Sequence, residues 1–199
     1  MPSPSKPPSL FVILSIGEST VPDTPKTFAT ARTRMWRAAN LGEDFLSIIN
    51  NIEKFGCQIM QVKGTSTTPG WSYSIGLYDT CAQPEILAIG LPQASAVTAI
   101  NKAANLLREG VDLTAKPQQN MLSFRDCDFR PIDPKWVDHI MGRALWYYED
   151  EPPPALQLIY PDLNNHFQQE PNFDERFRQP LLQPHAPQTP TDEAFWNHF

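Results

Sequence analysis

The chain is poor in the residues that build nucleotide and metal sites. Only nine of its 199 residues are glycine. No stretch reads as Gly-x-Gly-x-x-Gly, as a Gly-x-x-x-x-Gly-Lys phosphate loop or as a Gly-x-Ser-x-Gly elbow. The usual sequence routes to a dinucleotide, a cradled triphosphate or an elbow nucleophile are therefore excluded. Three cysteines, Cys57, Cys81 and Cys127, match no Cys-x-x-Cys or zinc spacing, and an odd count gives no disulfide framework. Each lies in or beside an apolar segment, where a free thiol behaves as a small hydrophobe. No base for a Cys81 nucleophile can be assigned. Of four histidines, His139 and His166 fall mid-chain and His185 and His198 near the C-terminus. No His-x-x-His or Glu-x-x-His spacing occurs, so no metal site is expected. No Lys/Arg-rich run appears, and the net charge of -6 with a pI near 5.2 argues against nucleic-acid binding. No segment approaches the roughly 20 apolar residues of a membrane span. Leu10–Ile16 is a weak match to a signal-peptide core, with a single Lys among prolines ahead of it. Unpaired thiols and this weak leader together point to the cytoplasm.

What the chain does have is proline at its edges and periodicity between them. Six of 21 prolines precede Lys26 and nine lie from Pro152 onward. Residues 1–42 alternate Pro, Ser and Thr with little period and read as a disordered or adventitious extension. Residues 184–199 read as a Pro-rich flexible tail, with Phe195, Trp196 and Phe199 as aromatics that could dock on a partner or back on the host. Residues 43–183 read as one domain. Phe45, Ile48, Ile49, Ile52 and Phe55 mark an amphipathic helix over 43–55 that ends at Gly56. Strands follow at about 57–63, 71–78 and 85–91. Val97, Ile100, Ala104 and Leu107 then mark a second helix, closed by Gly110. Met121–Phe124 and Cys127–Ile132 read as a hairpin turning at Arg125-Asp126. Asp133-Pro134 caps a third helix, which three prolines from Pro152 stop before a last strand, Ala155–Tyr160.

Short connections imply hairpins over βαβ crossovers. The expected fold is α+β: a curved, mainly antiparallel sheet or partly closed barrel with three packed helices. In the strand from Trp71, the residues Trp71, Tyr73, Ile75 and Leu77 alternate with Ser72, Ser74 and Gly76. One apolar face and one hydroxyl face follow, the latter turned to solvent, a helix cap or a ligand, with plain solvent expected. The next strand, Ile86–Ile89, is apolar without a break, as when both faces are covered.

These residues carry a resemblance. The run from Gly70 to Leu77, then Pro84–Leu87 and Gly90-Leu91, then Leu156–Asp162 and Gln179–Leu182, resembles the bacterial domain of unknown function 4262. The resemblance covers about 44–183. Members of that family follow the Pro-Asp with a Gly and an aromatic-Pro-Trp run, whereas Asn164–Gln169 keeps only the aromatic, so any pocket there has an altered lining. The family brings no reaction. The strand order also echoes the flavin-reductase split barrel, as an analogy of order alone.

The candidate site residues are Ser72, Ser74, Glu85, Asp162 and His166, grouped at a cleft at one end of the sheet. Each carboxylate has a structural alternative. Glu85 can bond backbone amides at its strand start, and Asp162 can hold an Asx-turn. His139 falls off the apolar stripe of its helix, among solvated residues. With no acid/base constellation legible, the chain reads as a binding module for a small molecule or a protein. The alternative is an enzyme, flavin-linked if the barrel analogy holds.

Overall fold

The computed structural model describes residues 27–184. Leu10–Ile16, His185, His198 and the aromatic tail lie outside the described residues. Two helices open the described chain, α1 (Ala31–Ala38) and α2 (Glu43–Phe55). Next come β1 (Gln58–Val62), β2 (Trp71–Ile75), α3 (Leu77–Cys81), β3 (Glu85–Ile89) and α4 (Gln93–Arg108). The chain continues through β4 (Gln118–Leu122), β5 (Arg125–Pro131), α5 (Pro134–Ile140), α6 (Gly142–Tyr147) and β6 (Ala155–Ile159). The strands form one six-stranded sheet in the order β1-β2-β3-β6-β5-β4. Every pair is antiparallel except the central β3–β6 pair, which is parallel. The fold is α+β, and the sheet stays open, so the barrel alternative and the split-barrel analogy fall.

Strand alternation assigns the two faces. Ile86, Ala88, Leu156, Leu158, Cys127 and Phe129 pack with Ala96, Ile100, Ala103 and Leu107 of α4. Tyr73, Ile75, Leu87 and Ile89 pack on the opposite face against Ile48, Ile49 and Ile52 of α2 and Val137, Ile140, Ala144 and Tyr147 of α5–α6. Over β6 that second face is covered by residues 180–182. Gln157 Nε2 donates to the Pro180 carbonyl at 2.6 Å, and Gln157 Oε1 accepts the Leu182 N–H at 3.0 Å.

Four elements differ from their sequence reading, each for a physical reason. The strand expected to reach 78 stops at Ile75, because Gly76 turns to φ +107 and starts α3. A Cβ at Gly76 would stand 3.0 Å from Ile52, so the site needs glycine twice over. The hairpin turns at Ser123-Phe124, φ +41 and +72, and not at Arg125-Asp126. Positive φ at both central residues matches the twist of a two-residue hairpin. The helix begun by Asp133 breaks at Met141. The Trp71 indole N–H takes the Ile140 carbonyl at 2.9 Å, and the Ala144 N–H turns to Met141. A continuous helix would have paired those two groups.

Residues 31–38, read as part of an aperiodic extension, form α1. Thr30 and Thr33 cap it reciprocally, and the Trp36 indole donates to the Tyr147 carbonyl at 3.0 Å.

Candidate functional site

The serine face of β2 is not open to water. Ser74 is fully buried and Ser72 is 2 % exposed, on the sheet face that α4 covers. Buried hydroxyls need partners, and Ser74 has two. It donates to Glu85 Oε2 at 2.5 Å and accepts the Ile86 N–H at 2.8 Å. Glu85 is itself fully buried. Its Oε1 accepts from the Gly76 N–H at 2.8 Å, the Tyr78 N–H at 3.2 Å and the Tyr148 hydroxyl at 2.5 Å. Burial pushes the carboxyl upward from its usual range, and the bonds from Ser74, Tyr148, Tyr78 and Gly76 pull it back only in part. Chemically this is a clamp. It fixes the β2–α3 corner, and four donors leave no room for a substrate.

Beside it, Tyr147 donates to Asp79 Oδ2 at 2.6 Å, and Thr30 donates to the same oxygen at 2.5 Å. Burial and the bonds to Asp79 and Glu85 hold both tyrosines well above the ordinary phenol range, so each keeps its proton and donates. Arg32 lies over both rings, at 5.9 and 5.4 Å. Tyr147, Tyr148, Asp79 and Thr30 were not singled out from sequence. The one available signal was Tyr148 on the apolar stripe of its helix, where a buried hydroxyl requires an acceptor.

Asp162 organises a separate loop. Its carboxylate accepts N–H bonds from Asn164 at 2.8 Å, His166 at 2.9 Å and Asp174 at 2.9 Å. Burial favours the neutral acid, but the backbone N–H groups of His166, Asp174 and Asn164 outweigh it and hold the group below the usual carboxylate range. His166 Nδ1 stands 3.6 Å from Asp162 Oδ2.

The structure therefore brings together Ser74 with Glu85, and Asp162 with His166, but does not join the two pairs. Glu85 faces Ala155 at the start of β6, and Asp162 follows the end of that strand. Five residues of strand, roughly 15 Å, separate them. Ser72 lines a third place, a hollow of about 250 Å³ with Lys63, Gly70, Leu91 and Gln93. The five thus fall in three places, Ser74 with Glu85, Asp162 with His166, and Ser72 apart.

A different concavity has the features of a ligand site. A cleft of about 410 Å³ opens between β1–β2 and α5–α6 and is lined by Phe45, Val62, Trp71, Tyr73, Trp146, His139 and Arg143 among others. Its rings are held by their neighbours, most of which also line the cleft. The Trp71 indole is tied to the Ile140 carbonyl, and Trp146 is wedged between Trp36 at 4.7 Å and Phe45 at 4.4 Å. The Tyr73 hydroxyl accepts the Arg143 N–H at 3.3 Å, and the Arg143 guanidinium stacks over Phe45 at 4.2 Å. Met141, at φ -117 and ψ 39, interrupts the helix between α5 and α6, and residues of both helices line the opening. A hollow of about 500 Å³ beside β5–β6 is larger, but its Arg130 already pairs with Asp128, and Glu170 adds acid. It offers no converging rings, and its one cation is already paired.

A family model described as a domain of unknown function (DUF4262) matches residues 51–174. The chain belongs to that family. The matched span is narrower than the 44–183 of the resemblance, and it includes every lining residue of the cleft named above except Phe45. No curated protein and no solved structure matches the chain. Among the described residues, no helix is long and apolar enough to cross a membrane.

Proposed function

We propose that this DUF4262 chain is a cytosolic binding module, and that its site is the cleft between β1–β2 and α5–α6, which takes a small molecule with a flat apolar body. The observation that carries this reading is the convergence of Phe45, Trp71, Tyr73 and Trp146 on one opening, with Trp71 fixed by its hydrogen bond to the Ile140 carbonyl and Trp146 by the Trp36 ring. Rings fixed beforehand lose little freedom when a ligand arrives, and a volume near 400 Å³ suits a small organic molecule better than a protein surface. Catalysis has less support. Glu85, a buried carboxylate raised above its ordinary range, is enclosed by its four donors, away from the cleft. The flavin-linked alternative loses its analogy with the open sheet.

A thermal-shift screen of small aromatic compounds tests the reading, because a ligand of the folded state alone raises the melting point. Compounds that stabilise the protein should also change its tryptophan fluorescence, and Phe45→Ala should weaken them by roughly tenfold, the loss of one stacked ring. Stabilising compounds that ignore Phe45→Ala would move the site elsewhere. A yellow preparation with a visible absorbance band would favour the flavin-linked enzyme.

A further inference from the structure

We infer that the ligand of this cleft is a small aromatic carboxylate, its ring among Trp71, Trp146 and Phe45 and its anionic group at Arg143. The inference rests on the cleft reading above and adds the charge and the polarity of the ligand. The lining is one-sided. It holds a guanidinium and an imidazole, from Arg143 and His139, and no carboxylate. A guanidinium is always charged and matches a carboxylate in two parallel hydrogen bonds. In the free protein the Arg143 head is stacked on Phe45 at 4.2 Å, which orients its planar fork without using up its N–H donors. That contrasts with Arg37, Arg130, Arg176 and Arg178, each of which meets an acidic side chain.

A second polar group faces the same space. The Tyr73 hydroxyl accepts the Arg143 backbone N–H. Burial holds it above the ordinary phenol range, so it keeps a proton to donate. His139, exposed at the rim, adds an imidazole that can donate to the same anion. The apolar half of the lining excludes inorganic anions, which gain nothing from rings. The cationic half disfavours amines. A flat ring carrying one short acidic arm satisfies both halves, and about 410 Å³ leaves room for a bicyclic ring.

Calorimetric titration of the full chain with indole-3-acetate, indole-3-acetamide and tryptamine tests this, since the three share a ring and differ in charge. Indole-3-acetate should bind at least roughly tenfold more tightly than the amide, the scale of one charged hydrogen bond, and tryptamine should bind least. Arg143→Gln should erase the preference for acetate over amide while leaving amide affinity within about twofold, and Arg143→Lys should restore part of the preference. Both variants change a half-exposed side chain, and unchanged melting would confirm that they fold. Equal affinity for acetate and amide in the wild type would overturn the inference and leave the aromatic cleft standing. A preference that survives Arg143→Gln would also overturn it. No binding by any of the three at millimolar concentration, together with a blank thermal-shift screen, would remove the cleft reading as well.

Discussion

Glu85 and Asp162 show how one side-chain type takes opposite pKa shifts from its surroundings. Glu85 is raised from its ordinary 4.5, with burial as the largest cause. Its folded form therefore binds more protons than the unfolded chain between that value and its folded pKa. Its stabilising contribution is complete below 4.5 and is lost as pH rises through the folded pKa. Glu85→Gln should destabilise the protein by about 1–3 kcal/mol, because an amide N–H₂ then meets the Ser74 hydroxyl that donated to the carboxylate. By the same linkage the difference from wild type should be larger at pH 4 than at pH 8. Urea melts at both values check both statements, and an unchanged midpoint would remove the clamp. Asp162 behaves oppositely. It is lowered from 3.8, so its contribution is present above that value and disappears as pH falls through the folded pKa. The advantage of wild type over Asp162→Asn should shrink when melts are repeated at pH 3 and below.

Among the elements, α1 has the clearest energetic consequence. Trp36 packs with the α2/α5–α6 core, its indole bonds the Tyr147 carbonyl, Thr30 bonds Asp79, and Arg37 pairs with Glu53. We propose a folded unit that begins near residue 27. A chain of residues 43–184 should melt several degrees below one of 27–184, since a half-buried tryptophan and two partly buried hydrogen bonds together contribute about 2 kcal/mol or more. Equal melting points by circular dichroism would mean that α1 is dispensable. The α5–α6 break is the other decisive element. The Trp71 indole takes the Ile140 carbonyl that a continuous helix would give to the Ala144 N–H, and α5 and α6 both line the cleft beside it.

For the whole molecule, one sheet carries a core on each face, and β3 and β6 contribute to both. Such a body should unfold as a unit. Four of the five tryptophans, Trp36, Trp71, Trp136 and Trp146, lie on the α2/α5–α6 face, so fluorescence reports chiefly that face, and the Cys127 thiol reports the α4 face. The two probes should give coincident urea transitions. Buried Cys127, its thiol pushed up to about 12 by desolvation, should stay unreactive until that transition. A separate early exposure of Cys127 would show that the α4 face opens alone.

The elements with strong local signals were fixed by the chain itself. The 3.6-residue spacing of Phe45, Ile48, Ile49 and Ile52 and the left-handed Gly56 set α2. Asp133-Pro134 set the start of α5, and the uninterrupted apolar run Ile86–Ile89 set a strand covered on both faces. Those signals lie within a few residues of sequence, where periodicity and capping act. Only tertiary structure decided that the Ser72/Ser74 face lies under α4, because alternation separates two faces without saying what covers either one. It also decided that Glu85 and Asp162 stand at opposite ends of the sheet, since that depends on β6 running parallel to β3 after the intervening α4, β4, β5, α5 and α6. The cleft belongs to the same class. Phe45, Trp71, Arg143 and Trp146 come from three distant segments, and the packing of helices on a twisted open sheet makes them neighbours.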